Sequence, residues 1–361
     1  MNHQLPQQTQ TLAAVWRGGR EVSLESVPVP ALQAGEALVR VRLSTVCGSD
    51  RHTVSGRRTQ PCPSILGHET VGEIVELGGD QQMYAVDGQR LQLGQRVIWS
   101  VTLPCGSCDR CLAGITAKCR TLRKAGHEAL DSGWGLSGGY AQHVLLPRGM
   151  PIAVVDDEVA DALAAPAACA TATVMAVIER AAQIAGRRVV VVGAGMLGIT
   201  AVAAAAAAGA SSVIAVDPAA ERRQLATQFG ATAALSAVAD VDTCDVLLEF
   251  SGSSAALQEG LRKLDIQGVA VFAGSVAPDG DVALDPESVV RRYLSIFGVH
   301  NYEPRHLQHA LSFLQRTRDE FPWADLVAPP VPLEQVGSLL TDPPGTTPRY
   351  SIDPAAPTAG G

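Results

Sequence analysis

The sequence predicts an α/β protein in two parts, a barrel-like β domain followed by a doubly wound parallel sheet. Three observations predict it. Over the first part of the chain, short runs rich in Val, Ile and Leu are separated by Pro and Gly. After Pro151, strand-like and helix-like segments alternate, which argues a parallel sheet covered on both faces. The length of 361 residues, 47% of them hydrophobic, is enough for two domains that each bury a core.

The elements follow in order. Residues 38–43, 70–77, 95–100 and 139–146 read as barrel strands. Residues 156–182 are Ala-rich with few breakers and read as helices. Next come a strand at 188–192, a helix at 196–208, a strand at 212–216 and a helix at 221–229. Short strands follow near Ala233 and at 246–250, 268–273 and 294–298. That makes about six, the number in a complete dinucleotide-binding sheet. Beyond residue 303 there is one helix candidate, 306–316, then Pro-rich connections and a short strand near 349–352. Residues 354–361 read as frayed. The expected divisions are therefore 1–160, 161–302 and 303–361, with the last returning to the first domain.

The net charge is −8 and no basic stripe or arm is present, which argues against a nucleic-acid partner. Residues 1–12 are polar and Gln-rich, without the basic start and apolar core of a signal peptide. The most apolar stretch, 199–210, is mostly alanine and too short to cross a bilayer. The expectation is a cytoplasmic protein with no membrane partner. Eight cysteines in such a chain suggest metal rather than disulfides.

One glycine loop carries cofactor chemistry. A Val-rich strand runs into Gly193, Gly195 and Gly198, with Met196 and Leu197 between the last two, and a helix follows. Gly193 allows a tight turn, Gly195 admits a pyrophosphate, and Gly198 lets helix and strand pack closely. The helix N-terminus then offers free N–H groups to the anion. Asp217 lies 19 residues beyond Gly198, at the end of the next strand. A carboxylate there binds ribose hydroxyls and repels a 2′-phosphate, which favours NAD over NADP. The other reading is a glycine turn that binds nothing. Arg222 and Arg223 follow closely and keep NADP open; one of them packs on the adenosine or both are solvated.

Cys105, Cys108, Cys111 and Cys119 form a C-x2-C-x2-C-x7-C cluster. Four thiolates so spaced can surround one Zn²⁺ and stabilise a loop without a core of its own. A closed all-sulfur shell leaves no open position, so this zinc would be structural. An iron–sulfur cluster also takes four cysteines, and free core cysteines are the third reading.

A second constellation combines Cys47, Ser49, Asp50 and His52 with His68 and Glu69, and Cys47 and His68 are 21 residues apart. Together with Cys169 they supply a Cys₂His set that leaves a fourth zinc position open. These motifs resemble, over nearly the whole chain, the zinc-dependent alcohol dehydrogenases of the medium-chain dehydrogenase/reductase superfamily. That family has a GroES-like catalytic domain and a Rossmann NAD-binding domain. The resemblance implies catalytic zinc on Cys47, His68 and Cys169, with Glu69 as an adjacent or exchangeable carboxylate. It implies that Ser49 takes the alcohol proton, that His52 passes it on through the cofactor ribose, and that Asp50 orients His68. It places Thr173 near the nicotinamide and Arg349 at the pyrophosphate, and it implies a homodimer or homotetramer paired along the strand near 294–299. Zinc would polarise the substrate oxygen and let an alkoxide form near neutral pH.

Cys169 stands where polyol and threonine dehydrogenases of the family use a carboxylate; a small buried cysteine is its other reading. Cys62 and Cys244 match no ligand position. A looser resemblance, through the segments 105–108, 131–140 and 298–304, is to a bacterial subgroup associated with phosphonate catabolism. Arg57, followed by Arg58, could clamp an anionic substrate; two solvated arginines are the alternative. The function expected is hydride transfer between NAD and a small alcohol, with an anionic, phosphonate-like alcohol as the finer expectation. The other readings are a threonine- or polyol-type dehydrogenase, or a non-catalytic or quinone-reductase-like relative.

Overall fold

The computed structural model describes residues 9–342 and 345–357. The stretch 1–8 and the end of the expected frayed tail, 358–361, lie outside the described residues.

The first domain is built from β1 (Gln10–Gly18), β2 (Glu21–Pro28), β3 (Ala37–Thr45), β4 (Ser64–Ile65), β5 (Glu69–Leu77), β6 (Arg96–Trp99), β7 (Thr102–Leu103), β8 (Arg123–Lys124), β9 (His143–Leu146) and β10 (Ile152–Val154). Its main sheet runs β10-β6-β5-β3 and ends on the C-terminal strand 351–352, with β9 also on β3. In β3, Val39, Val41 and Leu43 turn inward while Arg40 and Arg42 face water, the period-2 pattern of a half-buried strand. Trp99, Trp134 and Tyr140 fill the interior. The hairpin β1–β2 adds a smaller sheet with β4; the sequence reading did not place it.

The second domain is a six-stranded parallel sheet. Its strands are β11 (Arg188–Val192), β12 (Ser212–Val216), β13 (Ala233–Leu235), β14 (Cys244–Glu249), β15 (Leu264–Phe272) and β16 (Ser295–Gly298). They lie in the order β13-β12-β11-β14-β15-β16. The order reverses at β11, which opens a crevice at its C-terminal end.

The helices are α1 (Gly48–Val54) and α2 (Asp109–Leu112) in the first domain, then α3 (Asp161–Pro166), α4 (Ala172–Ala181), α5 (Met196–Ala207), α6 (Ala220–Gln228), α7 (Ser254–Lys263), α8 (Pro286–Arg292), α9 (Arg305–Thr317) and α10 (Val336–Thr341). A single π turn, Ala167–Thr171, joins α3 to α4. The resulting run, Asp161–Ala181, is 21 residues long and apolar enough to cross a membrane by composition. Its alanines and valines instead lie in the core, with α5 and α9 packed on it. Alanine lets these helix backbones approach closely, which accounts for the Ala-rich composition of both helices.

Leu307, Ala310, Leu311 and Leu314 of α9 join the core of the parallel sheet, whereas Leu333, Val336, Leu340 and Ile352 join the barrel core. The last described strand, β17 (Ser351–Ile352), pairs antiparallel with β3.

Candidate active site

The end of β3 and the start of β5 are neighbours, with Thr45 opposite Glu69 in register. That pairing brings Cys47, two residues past β3, beside His68, one residue before β5. The π turn, Ala167–Thr171, supplies the third group, Cys169, and π insertions of this kind often mark functional sites. One ligand atom each from Cys47, His68 and Cys169 lie within 4.8 Å of one another.

Each group is held from behind. The Asp50 carboxylate accepts from the Cys47 amide at 3.1 Å and from the Tyr140 hydroxyl at 2.9 Å. Its other oxygen lies 3.2 Å from His68 Nδ1. This leaves His68 Nε2 directed at the two thiols, with Ser49 Oγ 3.2 Å away. Ser49 and His52 occupy one face of α1, and no hydrogen bond joins them. Burial and Asp50 push the Tyr140 phenol far above its ordinary range, so it stays a donor.

The thiols are strongly linked. Hydrogen bonding with Cys169 holds the Cys47 thiol well below its usual value, and the same contact pushes Cys169 well above its own. Two sulfurs and an imidazole thus crowd one point. A soft cation satisfies such a donor set, and residues of this type fit zinc.

Glu69 is fully buried, and Arg349 grips it with Nε at 2.7 Å and Nη2 at 2.9 Å. Nη2 also lies 3.7 Å from Cys47 Sγ. The sequence reading sends Arg349 to a pyrophosphate; in the structure its guanidinium is engaged with Glu69 behind the three ligands.

The four-cysteine loop converges as well. Its sulfurs lie within 4.8 Å of one another, Cys105 being 4.0 Å from Cys111 and Cys108 3.9 Å from Cys119. Amides of Cys105 and Cys108 point at Sγ atoms at 3.3 Å, the donors a thiolate needs. Donation from the Ser107 amide, then the Cys108 amide and the Ser107 hydroxyl, pulls Cys105 down to about 5.

The glycine loop sits in the crevice at the end of β11. Gly193 has φ of +89°, a conformation that favours glycine, and its amide donates to Val216 at 2.8 Å. A Cβ on Gly198 would run into the Gly193 carbonyl, whereas Gly195 faces open space. That open floor beside the N-terminus of α5 fits a pyrophosphate. Asp217 accepts from the Ala194 amide at 2.8 Å and the Ala219 amide at 2.9 Å. Arg222 stands 3.8 Å from Asp217, while Arg223 is turned back onto the Asp217 and Pro218 carbonyls at 2.8 Å. Thr173, in the first turn of α4, is 8% exposed.

Two family models match the chain, an alcohol dehydrogenase GroES-like domain over residues 33–156 and a zinc-binding dehydrogenase over 197–316. The 5-exo-hydroxycamphor dehydrogenase of Pseudomonas putida is 31% identical over 91% of this chain and 94% of its own. The chain is a zinc-type alcohol dehydrogenase of the medium-chain dehydrogenase/reductase superfamily. The dehydrogenase is also 30% identical to an L-threonine 3-dehydrogenase of Aeromonas salmonicida, over 78% of this chain and 81% of that one. An alcohol dehydrogenase structure from Thermotoga maritima shares the fold, with TM-score 0.87, 24% identity, and coverage of 96% of this chain and 100% of that one. It is thus a zinc-dependent, nicotinamide-linked enzyme with GroES-like and Rossmann domains. These relatives lend no support to the narrower phosphonate likeness.

Arg57, Arg58, Lys118 and Lys124 act on the histidines outside the ligand set. His127, missed by the sequence reading, has its ring centre 5.2 Å from that of His68, and burial followed by His68 lowers it to about 3. Burial, then Arg57, lowers His52. Burial, Lys118, Lys124 and Arg58 together lower His300 to about 4. Arg57 is exposed and Arg58 half-buried, and neither guanidinium has an ion-pair or hydrogen-bond partner among the described residues. Tyr140 and His127 escaped the sequence reading because both reach the site from loops, where no periodicity reports on contacts.

Proposed function

We propose that this dehydrogenase transfers hydride between NAD and a small alcohol, or its carbonyl partner, at a zinc held by Cys47, His68 and Cys169. A second, structural zinc would be held by Cys105, Cys108, Cys111 and Cys119. The observation that carries the reading is the convergence of Cys47, His68 and Cys169 within 4.8 Å of one another. When bound, zinc polarises the substrate oxygen and NAD carries the hydride. The chain supplies the rest. Asp50 holds His68 in one tautomer, and Ser49 Oγ is placed to take the alcohol proton. His52, one turn further along α1, is the next acceptor on the way to water. Thr173 borders the nicotinamide, and Gly193, Gly195, Met196, Leu197 and Gly198 form the turn that receives the pyrophosphate. Asp217 is buried at the end of β12, where its carboxylate supports NAD over NADP.

The test is metal analysis with a substrate screen. Two zincs per chain are expected, one of them released readily by a chelator together with activity. NAD should be reduced faster than NADP. A protein that binds no zinc, or that keeps full activity after losing the labile ion, would overturn the reading.

The cations at the cleft support a finer proposal, that the alcohol bears an anionic group; threonine, named for one relative, is such an alcohol. Arg58 is the more enclosed of the two arginines and the better candidate to meet it, with Arg57 at the rim. Arg58→Ala should lower kcat/KM for carboxylate-bearing alcohols by about 10- to 100-fold, the worth of a charge-assisted hydrogen bond, and spare neutral ones. Equal effects on both kinds of substrate would rule it out.

All eight cysteines are unpaired, which supports a reducing, cytoplasmic setting. The strand β16 ends the parallel sheet with a free edge, and Val290 and Tyr293 beside it are exposed. Both support pairing with a second copy along that edge, as a homodimer or within a homotetramer. A monomer in sedimentation at micromolar concentration would refute this.

A further inference from the structure

Beyond the two sets of zinc ligands, one more cluster with metal-ligand geometry occurs among the described residues. Glu179, near the C-terminal end of α4, faces His306 and His309 on the first turns of α9. One ligand atom from each lies within 4.8 Å of the others. We propose that Glu179, His306 and His309 form a third metal site, taking a divalent transition ion such as Zn²⁺ or Ni²⁺.

The scaffold is rigid. The α4 and α9 helices pack directly, and Leu307, Ala310 and Leu311 bury the α9 face beside the histidines. His306 and His309 are three residues apart and therefore share a helix face; their ring centres are 5.7 Å apart. His306 is 3% exposed, so its ring is fixed. Its Nε2 lies 3.1 Å from Glu179 Oε2, while its Nδ1 accepts from the Glu303 amide at 3.0 Å and lies 3.1 Å from the Glu303 carbonyl. In this arrangement Nε2 carries the proton that Glu179 accepts; an ion at Nε2 would move the ring proton to Nδ1, where the Glu303 carbonyl is the acceptor within reach. His309 is exposed, and no hydrogen bond uses its nitrogens.

In the ion's place, Arg305 balances the Glu179 charge, with Nη2 2.5 Å from Oε1 and Nε 3.2 Å from Oε2. Its side chain is 52% exposed and can swing into water. One carboxylate and two imidazoles suit Zn²⁺ or Ni²⁺ and are a poor set for Ca²⁺ or Mg²⁺, which prefer all-oxygen shells. Three protein ligands leave a position for water. The site lies about 15 Å along the helix from Cys169, at 1.5 Å per residue, so it is separate from the reacting centre. An ion there would clamp the far end of the helix that carries Cys169 to the start of α9.

The test titrates the purified holoenzyme with Zn²⁺ alone, after removal of loosely held metal. Calorimetry and metal analysis should show one further equivalent, and the melting temperature should rise with added Zn²⁺. His309→Ala changes an exposed residue without hydrogen-bond partners and so should fold normally. It should lose the extra equivalent and the thermal shift while keeping the tightly held zinc. Arg305→Ala removes the competing cation and should tighten the site. No further equivalent, or one that survives His309→Ala unchanged, would overturn the proposal.

Discussion

Asp50 is 2% exposed and serves three partners at once, the Cys47 amide, the Tyr140 hydroxyl and His68 Nδ1. Its charge fixes which nitrogen of His68 is free. Asp50→Asn removes the charge and offers an amide where an acceptor is needed. Zinc affinity at the three-ligand site should fall about 10- to 100-fold, as for other partners of metal-bound histidines, and chelator competition would measure it. The four-cysteine zinc should be unaffected. Arg349 poses a sharper question, because the sequence alone gives it a pyrophosphate and the structure gives it Glu69. Replacing it with Met would strand a fully buried carboxylate, a loss of about 3–5 kcal/mol. If the Glu69 contact is its main task, Arg349→Met lowers the unfolding midpoint markedly. If pyrophosphate binding is, KM for NAD rises while the midpoint holds.

At the scale of elements, legibility followed locality. The strand at 188–192 and the one at 212–216 coincide with β11 and β12, because a Val-rich run bounded by glycine or Ala-Ser-Ser punctuation is a local signal. The Cys105 to Cys119 set was readable for the same reason, with all four ligands on one loop. The hairpin β1–β2 and the helices α7, α8 and α10 were not seen. Their positions depend on what they pack against; α8, for example, has no fully buried residue. The π turn that presents Cys169 is invisible in an alanine run, since one added residue changes no periodicity. The glycine loop was legible, and it makes a testable point. Gly198→Ala would drive a methyl into the Gly193 carbonyl. Overpacking of this kind costs about 1–3 kcal/mol, so NADH binding by fluorescence should weaken roughly tenfold or more with zinc content unchanged. At the other end of β11, Arg188 ties three strands through Asp245 at 2.6 Å and Asp265 at 2.7 Å. Arg188 holds both carboxyls below their ordinary range. Groups depressed in this way contribute stability above pH about 3.9, and it is lost as pH falls through their folded values. Arg188→Met should therefore destabilise the protein modestly at pH 7, since all three side chains are partly exposed. The difference from the parent protein should shrink below about pH 3.5 in acid denaturation.

For the whole molecule, the segment from His300 to Glu303 joins parts that the sequence treats as separate. The Tyr302 hydroxyl meets the Ala168 carbonyl, next to Cys169, and accepts from the Val101 amide of the barrel at 3.3 Å. Lys118 of the four-cysteine loop lies 2.8 Å from His300 Nδ1. Glu303 caps the short turn at Thr116, taking that residue's amide at 2.9 Å, its hydroxyl, and the Ala117 amide at 3.2 Å. The loop thus has two supports, its own metal and a carboxylate reaching from the start of α9. Charged hydrogen bonds to amides are worth about 1.5–3 kcal/mol each, so losing Glu303 should loosen the loop without unfolding it. Glu303→Ala is expected to leave NADH affinity close to that of the parent protein, because the Glu303 carboxylate bonds Thr116 and Ala117 and not the glycine loop. The zinc of Cys105, Cys108, Cys111 and Cys119 should then pass to a chelator faster, and amide exchange over residues 116–119 should quicken. If that zinc is released at the parental rate, the metal alone holds the loop and the carboxylate serves only to dock it.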